Sequence, residues 1–142
     1  MKKLTTTVIL ALLCLTISAQ TLISTNSNWK YKDDGSNQGT AWRANGFNHT
    51  SWSSGNAQLG YGDGGVTTVV KSGPSGSYYA TTYFRQEFNV ADPSSISSLD
   101  LDLLVDDGAV VYLNGVELFR QGMPTGTVSY NTYANFTAGG TD

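Results

Sequence analysis

Apolar and polar residues alternate along short stretches of the chain, and this alternation predicts strands rather than helices. From Leu99 to Val105, leucines at every second position are separated by Asp100 and Asp102, which is the period of a strand with one buried face. No window beyond the first twenty residues repeats apolar residues at helical spacing for two or three turns. The pattern therefore favours a β-rich chain.

Residues 78–90 predict a second strand, because apolar and charged side chains there also fall on opposite parities. The apolar parity, which we assign to the core, contains Phe84, Phe88 and Val90. The other parity, which we assign to solvent, contains Tyr83, Arg85 and Glu87.

Two turn signals follow the strand that ends at Val105. Asn114-Gly115 lies between the apolar runs AVVYL and VELFR, and this dipeptide is a strong hairpin signal because both positions tolerate a positive φ. The pair Asp106 and Asp107 is either a catalytic carboxylate pair or a turn. Its position before Gly108, between two strands, favours a turn in which Gly108 supplies the unusual dihedral.

The composition agrees with an all-β domain. The 142 residues include 16 Gly, 8 Tyr, 5 Phe and 3 Trp, and only 13% of residues are charged, which is typical of strands joined by many turns. We predict one domain built mainly of antiparallel strands. Within it we expect a hairpin from about Leu99 to Arg120.

The first 19 residues have the pattern of a secretory signal peptide. Lys2 and Lys3 precede an apolar run from Val8 to Ile17, and small residues follow before Gln20. The run is too short to span a membrane. We therefore expect residues 1–19 to be removed and residues 20–142 to be secreted or displayed at the cell surface.

The exported part has no cysteine and a mildly acidic charge. The single Cys of the chain lies in the leader, which excludes disulfides and thiol chemistry from the rest. Two of the eight Lys and Arg residues are Lys2 and Lys3, so six remain against eleven Asp and Glu. This balance argues against nucleic acid as a partner.

The residues needed for catalysis are few, and we predict that the chain is not an enzyme. His49 is the single histidine, and there is no G-x-S-x-G nucleophile elbow. One histidine without cysteine does not supply the usual ligands of a zinc or two-metal phosphatase centre. The run GYGDGG lacks the Lys-Ser/Thr of a phosphate loop and is a turn.

A family resemblance is carried by the order of motifs over about residues 28 to 133. The motifs are Trp29-x-Tyr31, Asp34-Gly35, Trp42-Arg43, Phe47, Ser51-Trp52, Gly55, Ala57, LGYGD from Leu59, TYFR from Thr82, DDGAVVYLNG and Met123-Pro124. In this order they resemble the galactose-binding-like jelly-roll modules of large secreted bacterial proteins. Such modules occur beside metallophosphoesterase, other hydrolase or surface-protein domains.

The resemblance implies a fold, an antiparallel β-sandwich of jelly-roll type, and a domain context, and it does not imply a reaction. Modules of this kind continue with at least one more long strand, whereas this chain stops soon after VSYNTY. We therefore expect the sandwich of residues 20–142 to be incomplete at its C-terminal end. The implied partner is a neighbouring domain of the same polypeptide.

Two functions remain open, and both are non-catalytic. In the first, the module binds a glycan, with aromatic faces stacking on sugar rings and polar groups bonding hydroxyls. The candidate contacts are Trp42, Arg43, Trp52, Tyr61 and Asp63. In the second, the module is a spacer or docking domain for an adjacent hydrolase domain, and the tryptophans form its core.

A structural Ca²⁺ ion is the one candidate cofactor. The run YKDDGSNQGT places Asp33, Asp34 and Asn37 in a Gly-bent loop, and Ca²⁺ binds several hard oxygen ligands. Asp63 of GYGDGG is a fourth candidate ligand. The alternative is an Asx-rich turn, since the run lacks the residue order and the late Glu of an EF-hand.

Overall fold

The computed structural model describes residues 20–62 and 64–135. The predicted signal peptide and Asp63 lie outside this range. The described part is all-β, as predicted. Its strands are β1 (Asn28–Lys32), β2 (Ser53–Asn56), β3 (Leu59–Gly60), β4 (Thr68–Val69), β5 (Tyr83–Arg85), β6 (Ala109–Leu113) and β7 (Val116–Gln121).

The helical content of the described residues is two single 3₁₀ turns, Ala41–Arg43 and Pro93–Ser95. The second begins at Asp92, whose carboxylate accepts hydrogen bonds from the backbone N–H and the hydroxyl of Ser94, as a helix-capping residue does. No helix in the described ranges is long and apolar enough to cross a membrane.

The strands form three small sheets. β1 is the centre of an antiparallel sheet with the order β2-β1-β5, in which Trp29 lies opposite Gly55 and Tyr31 opposite Phe84. β3 and β4 pair in parallel, and β6 and β7 form an antiparallel hairpin. The arrangement is sandwich-like, because aromatic side chains pack between the first sheet and the hairpin.

The hairpin turn confirms the prediction from Asn114-Gly115. Asn114 has φ 50° and Gly115 has φ 88°, so both central residues occupy the left-handed region that a two-residue turn of type I′ requires. The hairpin pairs Leu113 with Val116 and Ala109 with Gln121. Its register shifts once, between Val111 and Tyr112.

Asp106 and Asp107 do form a turn, but the dihedral angles differ from the prediction. The positive φ belongs to Asp107, at 61°, and the N–H of Gly108 donates to the carbonyl oxygen of Asp106 at 2.9 Å. Gly108 is needed because a larger residue would not fit there, rather than for its dihedral angle. A Cβ on Gly108 would lie 2.7 Å from the sulfur of Met123 and 3.1 Å from the Cβ of Ala134.

The strand predicted for residues 78–90 is mostly absent, and its facing was wrong. Only Tyr83–Arg85 pairs with a neighbour. Tyr83 is buried, whereas Phe84 is exposed. The hydrophobic pattern misled because the Tyr83 ring packs among other aromatic rings and the long Arg85 side chain reaches backbone carbonyls beneath the surface.

The strand predicted from Leu99 to Val105 does not form. Residues 96–105 run without a bend or turn but pair with no strand of the described chain, and the leucines of this stretch are exposed. Alternation gives a segment the capacity to form a strand, and a strand also needs a partner edge. The predicted hairpin therefore shortens to residues 109–121.

Candidate functional site

Aromatic rings converge where the first sheet faces the hairpin, and we call this group the aromatic cluster. The Trp42 ring centroid lies 5.1 Å from that of Tyr83 and 5.8 Å from that of Tyr112, both edge to face. Phe47 packs edge to face on Trp52 at 5.8 Å. Trp52 is 5% exposed. Such rings stabilise one another beyond the area that they bury, so this cluster is the core.

Arg43 covers the aromatic cluster on its outer side. Its guanidinium carbon lies 4.1 Å from the ring centroid of Tyr112 and 5.7 Å from that of Trp42, which is cation–π geometry. The Nε atom of Arg43 and the Nε1 atom of Trp42 are buried and make no hydrogen bond within the described part of the chain. Both side chains thus act in packing.

Arg85 fixes the loop that carries these residues. Its guanidinium donates to the carbonyl oxygens of Trp42 and Ala44, to Nδ1 of His49 at 3.1 Å, and to the carboxylate of Glu87 at 2.9 Å. His49 therefore holds a loop in place here.

The structure divides the five predicted sugar contacts. Trp42, Arg43 and Trp52 belong to the aromatic cluster, whereas Tyr61 lines a separate surface depression. Asp63 lies outside the described residues. Exposure distinguishes a binding role from a core role: Trp52 is buried, and Trp42 is half-buried against Tyr83 and Tyr112.

Three exposed tyrosines lie together at the end of β3, and we call them the tyrosine patch. Tyr61, Tyr78 and Tyr133 are 43%, 50% and 64% exposed. The rings of Tyr61 and Tyr78 stack with centroids 6.5 Å apart and an interplanar angle of 19°. The Tyr133 hydroxyl donates to the carbonyl oxygen of Tyr78 at 3.2 Å.

Local hydrogen bonds present these rings to solvent. Tyr61 follows β3, where the Val70 N–H donates to the Gly60 carbonyl oxygen at 3.0 Å. Tyr78 projects from the loop 72–79, which is closed by a bond of 2.8 Å from the Tyr79 N–H to the Ser72 carbonyl oxygen. A loop held by its own backbone bonds keeps an exposed ring in place without burying it.

A shallow depression of about 530 Å³ adjoins the tyrosine patch. Its lining includes Tyr61, Tyr79, Lys71 and Ser72. The place thus combines aromatic faces with hydroxyl and ammonium groups, which is the composition of a site for a polar ring such as a sugar. Tyr61 was a candidate from the sequence, and Tyr78 and Tyr133 were not, because their proximity comes from folding and no motif joins them.

The three described calcium candidates have separate protein partners. Asp33 is buried, and its carboxylate accepts the Lys71 N–H at 2.8 Å. Asp34 pairs with the Lys32 ammonium at 2.8 Å. The side-chain oxygen of Asn37 accepts the Gly39 N–H at 2.8 Å. Asp34 is paired with an ammonium, and Asp33 accepts a hydrogen bond from a backbone N–H. These separate partners fit an Asx-rich turn better than a calcium site with shared ligands.

The ionisation of Asp34 follows from the same contacts. The Lys32 ammonium and the Ser36 hydroxyl donate to the carboxylate and lower the pKa of Asp34 to about 2. Arg120 similarly lowers the pKa of Glu117 by donating two hydrogen bonds to its carboxylate, one to each oxygen. Both are ion pairs of a solvated surface. Among the described residues, no three His, Cys, Asp or Glu side chains come together as a metal site.

Comparison with known proteins adds no relative. No protein-family model matches the sequence, and no curated protein or solved structure matches it either.

Proposed function

We propose that this chain is a non-catalytic accessory module of a secreted protein, and that it binds carbohydrate through the tyrosine patch. The observation that carries the proposal is the grouping of Tyr61, Tyr78 and Tyr133 beside a depression that contains Lys71 and Ser72. Tyrosine rings stack on the apolar faces of sugars, and their hydroxyls bond sugar hydroxyls.

The binding residues in this proposal differ from those that the sequence suggested. Trp42, Arg43 and Trp52 are assigned to the fold, and Tyr61 is retained. The shallow, open shape of the depression favours a glycan chain that lies across the surface rather than a small molecule enclosed in a cavity. Weak affinity for a single sugar and higher affinity for a polymer with many copies are the expected behaviour.

The resemblance to galactose-binding-like jelly-roll modules supports the same proposal. It provides a context in which a glycan-binding domain accompanies a hydrolase or surface-protein domain in one exported polypeptide. The leader-like residues 1–19 support export. The jelly-roll order of strands and the galactose-binding-like family are part of this proposal.

The test is retention on immobilised polysaccharides in affinity electrophoresis. We expect at least one neutral polysaccharide to retard the chain, and Tyr61→Ala and Tyr78→Ala each to weaken the apparent affinity by about tenfold, the worth of one stacking ring. Tyr130→Ala is the matched control, since Tyr130 is also an exposed tyrosine but is not one of the three tyrosines joined by the ring stacking and the hydroxyl bond of the tyrosine patch. Equal retardation of all four proteins would overturn the proposal.

The non-catalytic part of the proposal has its own assay. The purified chain is expected to hydrolyse neither phosphate esters, nor acyl esters, nor glycosides, because His49 is engaged by Arg85 and has no nucleophile beside it among the contacts of the described residues. Turnover that His49→Ala abolishes would contradict this expectation.

A spacer or docking role is the second candidate function. It is favoured by the placement of Trp42 and Trp52 in the core and by the exposed leucines of residues 99–104. The two functions are separable, because the leucines do not line the depression beside the tyrosine patch.

A further inference from the structure

A second surface groove lies between the unpaired segment 96–105 and the outer side of β7. One wall is formed by Leu99, Leu101, Asp102 and Leu103, and the other by Leu118 and Phe119, around a volume of about 400 Å³. We call it the leucine groove. It is separate from the tyrosine patch, and the proposed carbohydrate binding does not use it.

Both walls of the leucine groove offer unpaired backbone. Residues 97–105 make no backbone hydrogen bond within the described part of the chain and run without a bend, whereas the Ile96 N–H just before them donates to the Pro93 carbonyl oxygen. β7 pairs only with β6 in the described sheets, so its other edge is open. An extended peptide that adds to such an edge gains main-chain hydrogen bonds, and its alternate side chains enter the groove.

The exposed apolar area is what such a peptide would cover. Leu99, Leu101 and Leu103 are half exposed along the same wall, and Leu118 and Phe119 are exposed opposite them. Apolar side chains at every second position of an incoming strand would meet these residues on one face. Because the leucines of the wall recur at every second residue, the bound peptide should also have apolar residues at every second position.

Charge distinguishes among the candidate occupants. The run from Leu99 to Val105 carries Asp100 and Asp102 and has no Lys or Arg. Pairing this run with the same run of a second copy would set carboxylates against carboxylates, which destabilises a ladder. A strand in which apolar residues alternate with Lys or Arg would instead place basic residues beside aspartates.

We propose that the leucine groove binds an extended strand of a partner polypeptide in which apolar residues alternate with Lys or Arg. The strand adds to the open backbone of residues 96–105 or β7 and covers the exposed leucines. Backbone pairing with this partner strand would make the unpaired segment a strand of a β-sheet.

The probe is a dye-labelled peptide of about eight residues with alternating Val and Lys, long enough to follow the groove. Its binding to the full chain is measured by fluorescence anisotropy. Two comparison peptides are a block peptide of the same composition and an alternating Val-Glu peptide. We expect the alternating Val-Lys peptide to bind about tenfold more tightly than either.

Variants locate the binding. Leu101→Ser is expected to weaken the affinity for the alternating Val-Lys peptide by about fivefold, because the change removes one apolar contact at the groove wall. Leu104→Ser is the matched control, since Leu104 is 76% exposed and does not line the groove. If Leu101→Ser alters the circular dichroism of the chain, Leu118→Ser on the opposite wall replaces it and is expected to weaken binding similarly.

Three results would overturn the proposal. The first is equal affinity for the alternating and block peptides, which would show charge attraction without strand addition. The second is equal loss in Leu101→Ser and Leu104→Ser. The third is a dimer, seen by light scattering, that Leu101→Ser dissociates while the peptide fails to bind, because the occupant would then be a second copy of this chain.

Discussion

At the scale of single residues, the aromatic side chains divide into two groups, one packed in the core and one exposed at the surface. Trp42, Trp52 and Tyr83 contact one another in the core, whereas Tyr61 and Tyr78 stack at the surface. Residue type does not separate them in the sequence, since tyrosine occurs in both groups. What separates them is the surface that each ring faces after folding.

Replacing Trp52 tests the core group. Trp52→Ala removes a buried ring that contacts Trp42, Phe47 and Tyr83, and we expect the free energy of unfolding to fall by about 3 kcal/mol, as for other large aromatic truncations. Denaturant titration followed by circular dichroism measures the change. Tyr130→Ala, an exposed control, should change it by less than about 0.5 kcal/mol. A similar small change in Trp52→Ala would contradict the assignment of this ring to the core.

The lowered pKa of Asp34 predicts a dependence of stability on acid. The folded pKa of about 2 lies below the ordinary carboxyl value of 3.8, so the contribution of the ion pair is fully present above about pH 4 and is lost as the pH falls through about 2. The Asp34 side chain is 39% exposed, so solvent screening limits this contribution to on the order of 0.5 kcal/mol.

The measurement compares the free energy of unfolding of the unmodified chain with that of Asp34→Asn at several pH values. The difference is expected near neutral pH and should shrink towards pH 2. Lys32→Met is the matched variant that removes the other partner of the ion pair. A difference that stays constant across the acid range would mean that Asp34 contributes through its turn bonds to Ser36 rather than through its charge.

At the scale of elements, the hairpin β6–β7 depends on its turn. Gly115 has φ 88°, which an L-residue with a Cβ adopts at a cost, so Gly115→Ala should destabilise the chain by about 1 kcal/mol. Asn114→Gly is the control and should be close to neutral, because its φ of 50° suits Gly equally well. Thermal unfolding of the two variants measures the difference. An unchanged melting temperature in Gly115→Ala would contradict the turn geometry.

The turns and the all-β fold class could be predicted, because they depend on the preferences of neighbouring residues. The facing and pairing of strands could not, because they depend on contacts between residues far apart in the sequence. Asn114-Gly115 determines its turn by its own dihedral preferences. The facing of Tyr83 depends instead on rings that lie far from it in the chain, and residues 96–105 need a partner edge that no local pattern supplies. The tyrosine patch has the same character, since the fold brings both Tyr61 and Tyr133 to Tyr78.

At the scale of the whole molecule, a small core supports two separate surface features. Within the described residues, the buried apolar side chains are Trp52, Val70 and Tyr83, while the tyrosine patch and the leucine groove remain open to solvent. A domain with so little buried apolar surface is expected to have modest stability alone. Occupation of either surface feature should raise its melting temperature by mass action.

The division between core tryptophans and binding tyrosines is the central claim, and one nuclear magnetic resonance titration tests it directly. The polysaccharide that retards the chain is added in fragments to the labelled protein, and the indole and tyrosine ring resonances are followed together. The account predicts that the ring resonances of Tyr61 and Tyr78 shift with saturation while the indole N–H resonances of Trp42 and Trp52 stay in place. Saturable shifts of the two indoles, with the tyrosine rings unmoved, would contradict it.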